Sequence, residues 1–230
     1  MPGTATHLAV ADKIYYILGS GAITNLPLFF GGNIAPDAIH ARKDFQRLDK
    51  KHTHLCDDIH RYGYGYPKLN ELFHKRINNF IRDYYFTAGK EKDLYLGYIV
   101  HLLADELDVF LVCENLEIHL KESGINLSEL EFSDKLANEV KSGDYRDYFS
   151  ISVPDYKFNQ NIIGILESEW SYEVKGYISA DEINISKRWV INTILNGEPT
   201  QGARINNHER AVQFIDFAAK NIIKQLHDIL

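Results

Sequence analysis

Two residues in the stretch Leu94-Tyr-Leu-Gly-Tyr-Ile-Val-His-Leu-Leu-Ala-Asp could do chemistry, and both lie in an otherwise apolar run: His101 and Asp105. Four apart, they project from one face of a helix, one turn from each other. A carboxylate taken into an apolar interior without partners costs several kcal/mol, roughly, so something must compensate it. A divalent metal ion would serve both residues at once. A His–Asp hydrogen bond in the core is the plainer alternative, and the pair by itself does not choose between them. Gly97 stands one turn before His101 on the same face, where it leaves room for another segment or for a ligand.

Further candidate ligands are spread along the first quarter of the chain. They are His7, then Asp37 beside Pro36 with His40 nearby, then His54 in Lys51-His-Thr-His. With His101 and Asp105 they make up the mixture of imidazole and carboxylate donors that zinc and similar ions prefer. Taken singly, each loop histidine or aspartate reads as a solvated side chain.

The elements that must position these residues read mostly as helix. Ala11, Ile14 or Tyr15 and Leu18 recur at helical spacing, His7 falls on the same stripe, and Gly19 closes the helix. From Gly19 to Tyr66 glycines, prolines and mixed polar residues break any long period, so that only short pieces of helix fit. Long irregular stretches in compact domains are usually functional. Periodicity resumes from Leu69 to Tyr84, with a stop near Gly89. A long apolar helix then runs from about Lys92 to Lys121 and ends at Gly124. Ser128 is a candidate cap for a short helix, and Ser179 with Glu182 has the spacing of a capping box that opens a helix reaching Gly197. Residues 150–178 suit a short strand as well as a helix. A last helix repeats Ala211, Phe214, Ile215, Ala218, Ile222 and Leu226. The expectation is an all-α, multi-helix bundle forming one domain over residues 1–230, with an irregular metal-binding region between its first two helices.

Bulk composition narrows the function. With 230 residues and 45% hydrophobic content, the chain is expected to fold around a sizeable core. A formal net charge of −7 argues against bulk nucleic acid as a partner, because a phosphate backbone calls for clustered Lys and Arg. Two bound divalent cations would bring the charge only to about −3. No window has the length and apolarity of a membrane span, and the start of the chain carries no secretory pattern. Cys56 and Cys113 form neither a Cys-x-x-Cys pair nor a disulfide framework, which suits the cytoplasm. Cys56, two residues past His54, reads as a buried thiol rather than a ligand. Composition says nothing about oligomeric state.

The order His7, Asp37 beside a proline, His54, then His101-x-x-x-Asp105 in an apolar helix resembles the zinc-dependent phospholipase C and single-strand nuclease superfamily, its intracellular bacterial members most closely. The likeness covers about residues 3–112, and the remainder matches only as helices. It implies a helical bundle holding Zn2+, two ions or one, with Asp105 bridging. His101, His54 and Asp37 would complete the first site and His7 would belong to the second. Secreted members add the amino group of an N-terminal tryptophan, where this sequence has Met1-Pro2. Their third ion needs a histidine six residues beyond the bridging aspartate, but position 111 is leucine, and no downstream histidine has an acid four residues later. His119 with Glu122, Asp108, His40 and His208 are the remaining residues from which a substitute could be built.

The resemblance implies a zinc-dependent phosphoester hydrolase acting on a small phosphoester or phospholipid-like substrate, with the metals activating water and Asp37 as the candidate base as well as a ligand. Tyr62, Tyr64 and Tyr66 are candidates for lining the mouth of the site. The alternative is a binding or regulatory protein that keeps its metal for structure. The helical His-Asp phosphohydrolases are excluded by order, since the only His-Asp dipeptide is His227-Asp228, at the very end.

Overall fold

A computed structural model describes residues 3–59, 67–122, 124, 156–168, 171–196 and 208–227. Their regular structure is helical apart from one isolated antiparallel bridge, Val174 to Ile178. The helices are α1 (Thr4–Leu18), α2 (Leu26–Ile34), α3 (Arg47–Thr53), α4 (Pro67–Phe80), α5 (Lys92–Glu122), α6 (Ile162–Glu167), α7 (Ala180–Trp189) and α8 (His208–Leu226), and a 3₁₀ segment, Ala35–Ala41, continues α2. The candidate cap Ser128 lies outside the described residues, as do Tyr62, Tyr64 and Tyr66. No helix among the described residues is long and apolar enough to cross a membrane.

The spacing of α1 predicts a single inward stripe, but the structure buries every residue from Ala5 to Asp12. Those two turns are enclosed because α1 packs on α2, α5, α8 and the segment Val190–Leu195. Gly19, at φ 72°, closes the helix by donating its N–H to the Tyr15 carbonyl at 2.8 Å, the left-handed stop that glycine allows without a Cβ penalty.

The region from Gly19 onward holds short helices, as its broken period predicts, yet one of them is central to the core. In α2, Leu28, Phe29, Phe30 and Ile34 are fully or almost fully buried. Asn25 caps the helix by accepting from the Leu28 N–H at 3.1 Å. The Asp93 carboxylate accepts from the backbone N–H of Thr24 at 2.9 Å and of Asn25 at 2.6 Å, tying the start of α2 to the first turn of α5. The glycines here read as breakers in the sequence, but Gly32 is inside the helix and faces α5. A Cβ on Gly32 would lie 1.9 Å from the Leu94 carbonyl oxygen, and one on Gly97 would lie 2.0 Å from that of Phe29. The room left by Gly97 is therefore filled by backbone, and the two glycines let α2 and α5 touch along their main chains.

Helix α7 opens with the expected box. The Ser179 hydroxyl accepts from the Glu182 N–H, and the Glu182 carboxylate accepts from the Ser179 N–H at 2.8 Å. Glu182 also accepts from Arg42 Nε at 2.7 Å, so the box anchors α7 to the chain that leaves the 3₁₀ segment. Replacing Ser179 with Ala is expected to cost ~1 kcal/mol in urea unfolding, whereas Glu182→Ala, which also frees Arg42, should cost about twice that.

Candidate metal centre

The structure brings together five residues that are far apart in sequence. His7 comes from α1, Asp37 from the 3₁₀ segment, His54 from the end of α3, and His101 and Asp105 from α5. Their ligand atoms form two groups that share His101: His7, His101 and Asp105 in one, and Asp37, His54 and His101 in the other, with all ligand atoms of a group within 4.8 Å of one another. Either group could hold a metal ion. Asp105 Oδ1 lies 3.2 Å from His7 Nε2, while Oδ2 lies 3.5 Å from His54 Nε2 and 3.7 Å from His101 Nε2. Asp37 Oδ1 is 3.4 Å from His54 Nε2.

The outer contacts fix which ring nitrogens carry protons. His101 Nδ1 lies 2.7 Å from the Asn33 carbonyl oxygen, near the end of α2. A carbonyl can only accept, so Nδ1 bears the hydrogen and Nε2 presents a lone pair. The same holds at His54, whose Nδ1 is 2.8 Å from the Lys50 carbonyl. Thr53 Oγ1 lies 3.0 Å from that Nδ1 and donates onward to the Pro36 carbonyl at 2.9 Å. The Tyr98 hydroxyl donates to the Thr53 carbonyl. Two backbone carbonyls thus aim two lone pairs inward, in the way metal-binding imidazoles are usually oriented.

What those lone pairs meet is more acceptor. His54 Nε2, His101 Nε2 and both oxygens of Asp105 are buried without a hydrogen-bond partner. Such groups are rare and costly, because buried polar atoms are nearly always satisfied. Here four of them converge. The rings of His7 and His101 stack with centroids 3.7 Å apart at an interplanar angle of 8°. No donor among these atoms relieves the two imidazole lone pairs, and a cation would relieve them together with the carboxylate.

Burial pushes the His101 imidazole down to about 3, and His7 adds to that shift. Burial alone would raise the Asp105 carboxyl, but the three imidazoles around it outweigh burial and hold it below its ordinary range. Asp37 behaves alike, with Lys50 and His54 overcoming burial. In the chelated protein these shifts make a pH prediction. An unfolded histidine titrates near ~6.5, so between that pH and about 3 the unfolded chain binds a proton that folded His101 refuses. Stability therefore rises with pH across this window, at up to about 1.4 kcal/mol per pH unit. Asp105 acts in the same direction at lower pH, since a depressed carboxyl stabilises above its unfolded value and loses that contribution as pH falls. His74, raised by its hydrogen bond to Glu106, acts oppositely and loses its contribution as pH rises through its folded value. Urea unfolding from pH 7 to 4 should show the slope. His101→Gln should flatten it, and an unaltered slope in that variant would refute the assignment.

Comparison with family models, curated proteins and solved structures finds no match.

Several residues around the centre had no reading in the sequence. Lys50 places its ammonium 2.6 Å from Asp37 Oδ1. Its position one turn before His54 was a usable signal, whereas the carbonyls of Asn33 and Lys50 carry no side-chain signature. Glu106 is buried beside Asp105 and takes Asn70 Nδ2 and His74 Nε2, each at 2.6 Å. Asp108, which the sequence did offer for a substitute third site, is buried as well, and burial pushes its carboxyl up. Of the other histidines, His52 is exposed and contacts Asp57 at 2.9 Å, and His40 packs at a tilt against Phe45 outside both groups. Cys56 donates its thiol to the His54 carbonyl at 3.0 Å, the packing role expected of it. The side chains of Leu111, Cys113, His119, Glu122 and His208 lie outside the described residues.

The two groups differ in access. His7, His101 and Asp105 are each about 1% exposed, whereas the Asp37 side chain is 22% exposed. Asp37 also lines a cavity of ≈ 720 Å³ with His40, Ile34, Ile185 and Trp189. One group is shut inside the bundle, and the other opens onto space large enough for a small organic molecule.

Proposed function

We propose that the protein is a metal-dependent hydrolase of phosphoester bonds, phospholipase C-like in its donor set, with a two-metal site, zinc by preference, that activates water. The observation that carries the reading is the convergence of two carbonyl-fixed imidazole lone pairs on a carboxylate with no donor between them. His-rich sites with carboxylates suit zinc. Asp105 has one oxygen toward His7 and the other toward His54 and His101, which supports a role for it as a ligand that two ions would share.

When bound, a pair of divalent ions supplies Lewis-acid polarisation of a phosphoryl oxygen and lowers the pKa of water. The chain's own residues supply the rest. Asp37 is an ionised acceptor at the cavity wall, suited to ligate an ion and to orient a water or take its proton. Ile34, Ile185 and Trp189 offer an apolar wall to the organic part of a small phosphoester or phospholipid-like substrate.

A second reading has its own observation. Structural zinc sites are closed, and the His7–His101–Asp105 group is closed. An ion there alone would make a metal-stabilised binding or regulatory protein. Metal analysis of protein purified without added ions, followed by assays on a generic phosphodiester, a monoester and a phospholipid, separates the two. Two ions with hydrolysis support the enzyme, and one ion without turnover supports the second reading. Absence of stoichiometric metal would overturn both.

A further inference from the structure

The cation nearest the open group belongs to the protein itself. Lys50 Nζ sits 2.6 Å from Asp37 Oδ1, and this same oxygen faces His54 Nε2 at 3.4 Å. The ammonium therefore occupies the Asp37 oxygen that faces His54. The closed group has no counterpart, since the ion-pair partners of Asp105 among the described residues are His7, His54 and His101. At 24% exposure on a flexible four-carbon stem, Lys50 can leave Asp37 without entering an apolar environment. Its partner Asp37 lines the cavity together with His40. The Lys50 charge is felt at His40, where it adds to burial in lowering that imidazole.

We propose that Lys50 couples the open group to the cavity: it holds Asp37 in the ion-free protein, yields it to the second metal ion, and then offers its freed charge to an anionic group, of the phosphate class, bound in the cavity. Two consequences follow from linkage. The two ions bind unequally, because only at the open group must an ion displace a resident cation and because the single free lone pair of His101, Nε2, can serve just one of them. Anion binding and second-ion binding also favour each other, because an anion stabilises the displaced lysine. The inference rests on the two-ion reading above.

The test uses zinc and inorganic phosphate on the full chain, with Lys50→Met to remove the charge and Lys50→Arg to keep it. Calorimetric titration of the chelated protein should show the second zinc binding ~3- to 10-fold tighter in Lys50→Met than in wild type, the range of a partly buried ion pair. Phosphate binding to the two-zinc protein should weaken by a similar factor, roughly 3- to 10-fold, and Lys50→Arg should track wild type in both. Local damage to α3 would weaken both ligands, so shifts of opposite sign are the signature. Both affinities weakened, or neither changed, would overturn the role of Lys50 while leaving the metal reading intact. No zinc bound by wild type would overturn both.

Discussion

Asp105→Asn should separate stability from metal binding, moving the two in opposite directions. In the chelated protein the substitution is expected to be neutral or to stabilise by ~1 kcal/mol. The wild-type carboxylate offers only acceptors to the lone pairs of His54 and His101, at 3.5 and 3.7 Å. An amide in the same volume keeps an oxygen toward His7, 3.2 Å from the present Oδ1, and turns an NH2 toward the other two imidazoles. It gives up a charge that its neighbours, His7 above all, favour by holding the carboxyl below its ordinary range, so any net gain stays within ~1 kcal/mol. With zinc the sign reverses, because the amide oxygen is a poorer ligand than a carboxylate and cannot serve two ions as a charged bridge. Zinc affinity should fall by at least ~100-fold, beyond the range seen for outer-shell changes, and any phosphoester hydrolysis should fall with it. Thermal unfolding with chelator and with saturating zinc reads both halves. Wild type more stable than Asp105→Asn in chelator would mean that the carboxylate is held by donors, and the metal reading would lose its main support.

The second large effect lies in the packing that carries the site. Gly97→Ala places a methyl 2.0 Å from the Phe29 carbonyl oxygen and 2.8 Å from the Asn33 nitrogen, both of them main-chain atoms. Backbone cannot step aside as a flexible side chain can, so α2 and α5 must part. Overpacking of this kind should cost ~3 kcal/mol or more. It should also reach the site, because the Asn33 carbonyl that holds His101 Nδ1 at 2.7 Å belongs to the same segment. Gly97→Ala should therefore lose zinc affinity as well as stability, although residue 97 touches neither group. Gly32→Ala meets the Leu94 carbonyl at 1.9 Å across the same interface. Once the helices have separated for one methyl, the second costs little, so the double variant should fall well short of the sum. Full additivity in urea unfolding would show that the two glycines relieve independent contacts.

The sequence by itself determined the helical class, the boundaries marked by Gly19 and by the Ser179–Glu182 box, and the polar pair in α5. Each of these is local. A helical period, a left-handed stop and a capping box are completed within one or two turns, by residues close in the chain. His101 and Asp105 stood out for the same reason, because a histidine and a carboxylate four apart in an apolar run demand a partner. Residue type nominated His7, Asp37 and His54 and the resemblance put them in order, but nothing in the chain before Tyr66 fixed where they would lie.

Tertiary structure decided the rest. Gly32 reads as a breaker because glycine weakens an isolated helix, yet in the folded protein its missing Cβ is what admits the backbone of α5. The burial of Ala5–Asp12 on every side depends on α2, α5, α8 and the segment Val190–Leu195 arriving around α1. The protonation of the imidazoles was likewise beyond sequence, since it is set by the carbonyls of Asn33 and Lys50, groups that every residue possesses and that only a fold can aim. Lys50 on Asp37 belongs with these. Residue types and spacing can nominate ligands, but the direction of a lone pair and the identity of its nearest cation are properties of packing.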